Sequence, residues 1–356
     1  MNQSRPSEVP AALSPWEGRV NSVADRPGRV LELEVTSRCN LKCPPCPRSA
    51  FEDTWVDAEM TNARFDQVLE QTHRFRTVYF RGWGEPLLHP EFGRMVRNVH
   101  SSGAAVVVST NGVRPIPENL LPYINSIHFR MGCGDVRVYE KQNPGRRFNR
   151  VLFNIGRITQ WKKKEESAGP RLCLQFTKNR FTLPRLQHYI ELAARFHPVE
   201  VRLIEPHFLV RTIDEQGVLP GGIPKEELIR IDAELDEVAR EEDVRLVMGV
   251  DESHCSFNPL DHVFVNWKGQ ISPCHYTLLP LVTQEFSVYR KGRCQTFRCV
   301  DLGNDSSPFD FSKWHLKVRN RFTPAALQKA GHLNRNTLPT ICAVVCSTVH
   351  APPEEP

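Results

Sequence analysis

Short apolar runs separated by amphipathic stretches recur along most of the chain, and this alternation restricts the fold more than any other feature. Residues 30–36 (VLELEVT) place Leu31, Leu33 and Val35 on one face, the period of a strand. VYFRG (78–82), AAVVVSTNG (104–112), SIHFRM (126–131), LCLQFT (172–177) and VEVRLI (199–204) read as five more. Among them lie helical patterns at 60–73, opened by a cap at Thr61, at 90–103, stopped by Ser-Gly, at 148–164 and at 183–196. Strands alternating with helices of this size imply βα units and a parallel sheet, and six units suffice for a partial barrel. The expected fold is therefore α/β, a partial (β/α)6 barrel of parallel strands with a small cysteine-rich C-terminal domain.

A charged helix over 224–242 precedes a change of texture, since the remainder is rich in loops and cysteines. A hairpin is expected over HVFVNWKGQISP (262–273), turning at Lys268-Gly269. The expected divisions are a flexible arm at 1–28, the barrel at 29–245, the cysteine-rich domain at 246–350 and a tail at 351–356. The arm holds Pro, Ser and charges where a signal peptide would hold an apolar core. No run of about 18 apolar residues is present, so no membrane partner is expected. The formal charge of +5 is mild and fits scattered solvated Lys and Arg better than a nucleic-acid footprint.

The chain holds 11 cysteines. Without an export signal they read as thiols of a reducing, cytoplasmic compartment, where clustered cysteines serve metal or catalysis. They group as 39/43/46, then 255/274, 294/299 and 342/346, with Cys133 and Cys173 apart as small core residues. The first group stands in EVTSRCNLKCPPCPR (34–48), with the spacing C-x₃-C-x₂-C at the end of the first strand. Cubane iron–sulfur clusters normally take four thiolates, so three leave one iron open to a small molecule. Ligands of parallel α/β folds sit beyond the carboxyl ends of the strands, where this loop lies. Taken alone, Cys43-Pro44-Pro45-Cys46 also fits a dithiol redox pair, and three cysteines with a distant fourth fit zinc.

The stretch EVTSRCNLKCPPC resembles the radical S-adenosylmethionine (SAM) superfamily, whose hallmark is this spacing after the first strand of a partial barrel. The resemblance implies a [4Fe–4S] cluster on Cys39, Cys43 and Cys46, with SAM chelating the open iron. Pro45 stands where the family usually has an aromatic residue. RGWGEPLLHPEF (81–92) resembles the family's Gly-Gly-Glu-Pro segment, with Trp83 for the middle glycine. Gly82, Trp83, Gly84 and Glu85 are thereby expected at the cofactor, the glycines for close approach and Glu85 as a carboxylate for a cation. VVVSTNG (106–112) resembles the Thr-Asn-Gly turn, which implies Ser109 and Asn111 at the SAM carboxylate or ribose, with Thr110 beside them. Arg130 replaces a Ser of the fourth strand, and QFTKNR (175–180) offers Thr177 and Asn179 for the ribose.

Cys255, Gly269 and Cys274 fit C-x₉₋₁₅-G-x₄-C, and LGN (302–304), Trp314 and PTICAVVC (339–346) follow. This order resembles the auxiliary-cluster domain of radical SAM maturases, SPASM or its shorter form Twitch. It implies an auxiliary [4Fe–4S] cluster on Cys255, Cys274, Cys342 and Cys346, with Cys294 and Cys299 spare. The late pair is C-x₃-C where the family often has C-x₂-C, and a structural zinc site on the same thiolates is the alternative. The resemblance implies an oxidoreductase or maturase in which an external donor of flavodoxin or ferredoxin type reduces the cluster. SAM then splits to methionine and a 5′-deoxyadenosyl radical, which takes hydrogen from substrate. A peptide or protein substrate is expected, or maturation of a metalloenzyme. The segment from PCHYTLLP to LGN resembles maturases associated with tungsten-cofactor oxidoreductases. A small-molecule radical SAM dehydrogenase and a non-enzymatic zinc-binding protein are the alternatives. Glu205 and His207, after the sixth strand, would face the same opening.

Overall fold

The computed structural model describes residues 30–43, 46–136, 139–140, 148–167, 169–179, 181–204, 224–248, 262–272, 275, 278–282, 285–290 and 293–298. The expected arm and tail, Pro44, Pro45, Glu205, His207, Cys255, Cys274, Cys299, Cys342, Cys346, the LGN segment and Trp314 lie outside them.

The strands are β1 (Val30–Leu33), β2 (Thr77–Phe80), β3 (Ala105–Thr110), β4 (Ser126–Gly132), β5 (Arg171–Thr177) and β6 (Val199–Ile204), followed by β7 (Arg245–Val247), β8 (His262–Val265) and β9 (Ile271–Ser272). They form one sheet in the order β7-β6-β5-β4-β3-β2-β1-β8-β9. Every neighbouring pair is parallel except β8–β9. The helices are the short α1 (Pro47–Ala50), α2 (Asn62–Leu69), α3 (Phe92–Ser101), α4 (Phe148–Lys164), α5 (Leu186–Ala194) and α6 (Lys225–Glu241). The α/β architecture is the expected one. Thr61 caps α2 by accepting from Arg64 N at 3.2 Å, and Gly103, at φ +82°, follows the end of α3.

Three strands, β7, β8 and β9, extend the expected set of six in the same sheet. β7 pairs beyond β6 without any apolar alternation to announce it. The hairpin at 262–272 forms, with Gly269 at φ +87° supplying the left-handed turn, but β8 adds to β1 and so lengthens the barrel sheet. A further hairpin, β10 (Glu285–Arg290) with β11 (Arg293–Arg298), lies within the stretch read as loops.

Alternate residues of β1 divide the interior. Leu31 and Leu33 join Val78, Phe80, Val106, Val108 and the apolar faces of the helices in one continuous core. The opposite face carries Glu32 and Glu34; Tyr79 and Val107 continue the row of Glu32, Ser109, His128, Cys173 and Glu200 form the next in register, and Gln175 pairs with Arg202 beyond it. A parallel sheet is ordinarily apolar on both faces. Here the concave one is polar.

Candidate active site

The cysteine loop leaves β1 through Thr36 and Ser37, and residues 55–58 pin that exit. Ser37 N donates to Ala58 O at 3.0 Å and the Ser37 hydroxyl to Val56 O at 2.5 Å. Trp55 Nε1 donates to Ser37 O at 3.2 Å. Cys46 N then turns back onto Cys43 O at 3.0 Å, and Cys46 precedes α1, whose Pro47 has no N–H in need of an acceptor. This is how one short loop gathers three thiols.

Burial pushes the Cys39 thiol up, and the Glu85 carboxylate adds to the effect. Burial likewise takes Cys46 up to about 12, and each of these thiols senses the charge of its neighbours. Thiols so placed do not ionise unaided, and a metal that displaces their protons is what makes them thiolates. Among the described residues, no three of His, Cys, Asp and Glu close round a single ion. A cubane makes no such demand, because each cysteine takes its own iron. The loop therefore fits a cluster with three protein ligands.

Around it the ends of β2 and β3 are wired together. Glu85 N donates to Arg38 O at 2.8 Å, fastening the second loop to the first. The Glu85 carboxylate, fully buried and pushed up by that burial, accepts from the Thr110 hydroxyl at 2.8 Å and from Asn111 N at 2.7 Å. Both oxygens thus serve β3, and Glu85 acts on the site as its frame. Asn111 reaches the cysteine loop directly: its Nδ2 donates to Asn40 Oδ1 at 2.8 Å and lies 4.0 Å from Cys39 Sγ. Arg130, at the end of β4, reaches the carbonyls of Gly82 and Gly84 at 3.4 and 3.5 Å.

The glycines also have a packing use. A Cβ at Gly82 would meet Glu34 Cγ at 2.5 Å, and one at Gly84 would meet the backbone of Thr36 and Arg38, whose O lies 2.7 Å away. Each glycine lets the second loop lie flat on the exit of β1. Trp83 turns outward from this contact, donating from Nε1 to His275 O at 2.9 Å and stacking edge-on with its ring. Thr177 ends β5 at the same rim, and the loop after it folds on itself: Asn179 N donates to the Thr182 hydroxyl at 2.9 Å and Thr182 N to Asn179 Oδ1 at 3.0 Å.

Two carboxylates on the concave face of β1 were visible in the alternation of VLELEVT and were not read as part of the site. Glu34 accepts from Trp83 N at 2.7 Å. Burial, with the charge of Glu32 added, raises it to about 8. Glu32 is fully buried too, but His275, Arg81 and His262 outweigh its burial and hold it well below the usual range. Its oxygens lie 2.8 Å from His275 Nδ1 and 2.9 Å from His262 Nε2. Burial takes His275 down to about 4, against the opposing pull of the Glu32 carboxylate. Deeper along the sheet, His128 Nδ1 lies 2.7 Å from the Tyr79 hydroxyl and 3.2 Å from Gln175 Nε2. Burial, then the charges of Arg202 and Arg81, keep this histidine neutral. Ser109 is fully buried one register step from His128, and no partner reaches its hydroxyl.

Residues 33–160 match the model of the Radical SAM superfamily. The chain is 41% identical over 87 residues to a tungsten-containing aldehyde ferredoxin oxidoreductase cofactor-modifying protein of Pyrococcus furiosus, covering 24% of each chain. It is 32% identical over 89 residues to the mycofactocin maturase MftC of Mycobacterium tuberculosis, covering 25% of this chain and 22% of that one. The chain spans about a quarter of the length of these curated relatives. Among solved structures, SuiB of Streptococcus suis bound to S-adenosylmethionine superposes with a TM-score of 0.53 at 12% identity, over 70% of this chain and 61% of that one. That likeness is one of fold. Among the described residues no helix is long and apolar enough to cross a membrane.

Proposed function

Because this chain belongs to the radical SAM superfamily through its residues 33–160, we propose that it is a maturase that cleaves SAM reductively and abstracts hydrogen from a peptide or protein substrate. The superfamily's cofactors are a [4Fe–4S] cluster and SAM. When bound, this pair supplies the one-electron cleavage that starts the chemistry. What supports the reading most is the loop that closes β1. It gathers Cys39, Cys43 and Cys46, with Asn111 hydrogen-bonded to the same loop, within the segment that matches the family.

The chain's own part is to position and to exclude. Cys39, Cys43 and Cys46, each half-buried, hold the cluster. The loop of Gly82, Trp83, Gly84 and Glu85 offers backbone groups to SAM from a frame set by Glu85. Asn111 and Thr177 contact SAM from β3 and β5, with Ser109 in the layer beneath. Cys255, Cys274, Cys342 and Cys346 carry an auxiliary [4Fe–4S] cluster in a SPASM- or Twitch-type domain. A flavodoxin- or ferredoxin-type donor delivers the electron. The relatives, a cofactor-modifying protein and a mycofactocin maturase, support a maturation role. So does a SuiB structure with its precursor peptide SuiA, at a TM-score of 0.50.

The test is anaerobic reconstitution of the full chain with iron and sulfide, followed by SAM and dithionite. Brown protein that bleaches on reduction and releases 5′-deoxyadenosine is expected. Cys43→Ala should abolish release. A colourless, zinc-loaded protein, or release that survives the substitution, would sink the assignment.

A further inference from the structure

Arg130 brings a positive charge to the rim at a place in the fourth strand where a Ser would bring none, and the proposed reaction gives that charge no role. It lies on the face of β4 that carries His128, and the strand bulges directly after it, since Arg130 pairs with Gln175 but Gly132 with Phe176. From there the side chain passes the end of β3 to the loop after β2, with Nη1 3.4 Å from Gly82 O and Nη2 3.5 Å from Gly84 O. That loop rests on the cysteine loop, because Glu85 N donates to Arg38 O and Arg38 precedes Cys39. A half-buried guanidinium is thereby held against the segment that carries the three thiols.

Its charge is felt there. Burial raises the Cys39 and Cys46 thiols, and Arg130 pulls both back down. Arg48, on α1, also acts on these two sulfurs, but Asp57 binds it at 2.7 and 3.3 Å and offsets its charge. The carboxylate that faces Arg130 is Glu85, which burial pushes toward its neutral form. Three thiolates on a cubane core give a net negative unit, and reduction by one electron deepens that charge. A fixed cation therefore favours the reduced state, the more so in a site of low dielectric. We infer that Arg130 sets the reduction potential of the cluster on Cys39, Cys43 and Cys46, drawing it upward so that a weaker electron donor suffices. The inference rests on the cluster assignment above, and Arg130 acts in it through the charge of the cluster, without touching substrate.

The experiment is an anaerobic redox titration of the reconstituted full chain without SAM, followed by visible absorbance and by the EPR signal of the reduced cluster. Arg130→Gln keeps N–H donors for the two carbonyls and removes the charge, while Arg130→Ser removes both. At a fixed potential each should hold a reduced-to-oxidised ratio about threefold to tenfold below that of the wild type, tenfold being about 59 mV for one electron. Arg130→Lys keeps the charge and should stay within about twofold of the wild type. So should Lys163→Gln, which removes an exposed charge near the end of α4 that leads to β5. Neutral variants that titrate with the wild type, or an Arg130→Lys chain shifted as far as Arg130→Gln, would overturn the inference. If one neutral variant takes up no cluster the other decides, and loss of the cluster in both would make Arg130 a structural residue and sink the inference too. A wild-type chain that takes up no cluster sinks the reading above together with this one. A charge-dependent potential in a chain that releases no 5′-deoxyadenosine sinks the radical reading alone.

Discussion

The rim of the barrel is built in two ways. On the side of β1 to β3, buried side chains tie each loop to its neighbour: Glu34 to Trp83, Glu85 to Thr110 and Asn111, and Asn111 to Asn40. On the side of β5 the ties run inward or outward. Asn179 and Thr182 bond each other, and Lys178 Nζ reaches Asp232 of α6 at 2.7 Å. The first side is a rigid frame in which no loop moves alone. The second is a loop bonded mostly within itself and to the outer wall, with Lys178 N on Ile204 O as its backbone tie to β6. A cluster that must be held in fixed geometry needs the former, whereas a rim that adapts to different partners is served by the latter.

The largest effect is expected where the frame has its keystone. Glu85→Ala leaves the Thr110 hydroxyl and Asn111 N buried without their acceptor, a loss of about 3–5 kcal/mol. Urea unfolding of the metal-free chain should show it. The same variant should lose cluster incorporation, read from visible absorbance after reconstitution, because Asn111, which bonds the cysteine loop through Asn40, loses the carboxylate that holds its amide. A loss under about 1 kcal/mol would mean that the β1–β3 side is no stiffer than the β5 side.

Glu34 gives the same contrast in pH. Its carboxyl, raised to about 8 by burial against an ordinary value of 4.5, binds a proton more tightly folded than unfolded. Its contribution is therefore complete below pH 4.5 and is lost as pH rises to about 8. Glu34→Gln keeps the acceptor for Trp83 N and removes the titration. The stability of the variant relative to the wild type should climb by up to about 1.4 kcal/mol per pH unit across that window and level off above it. His275, held down to about 4, acts on the acid side in both proteins and cancels in the difference. A difference that stays flat with pH would show Glu34 ionised in the fold.

Much of this frame was legible in the sequence. The bounds of β6 and α4 match the expected 199–204 and 148–164, because a period of two or 3.6 is a local property. The cysteine spacing that marks the candidate site is local in the same way. What the sequence could not supply was partnership. HVFV reads as a strand, yet nothing local says that it pairs with β1. Gly82 and Gly84 read as room for a ligand, and nothing local says that a Cβ there would also meet Glu34 and the backbone of Thr36 and Arg38, which come from another part of the chain. β7 follows Asp243, at φ 52°, with three residues and no alternation to notice. Glu32 and Glu34 were the exception. Two acids on one face of a strand that a parallel sheet must bury are a local signal of a polar lumen.

The smallest effect belongs to the self-contained loop. Thr182 is buried, and its hydroxyl both donates to Thr177 O and accepts from Asn179 N. Thr182→Val keeps the shape and deletes both bonds, a change of about 1–2 kcal/mol. Because these partners all lie between Thr177 and Thr182, the loss should stay local. Hydrogen exchange should quicken at the Asn179 amide, while Trp83 and Asn111, whose amides are held by Glu34 and Glu85, keep their protection. Faster exchange at Trp83 would mean that the two sides of the rim move as one body. The division between a fixed frame and an adaptable loop would then lie elsewhere than at β4.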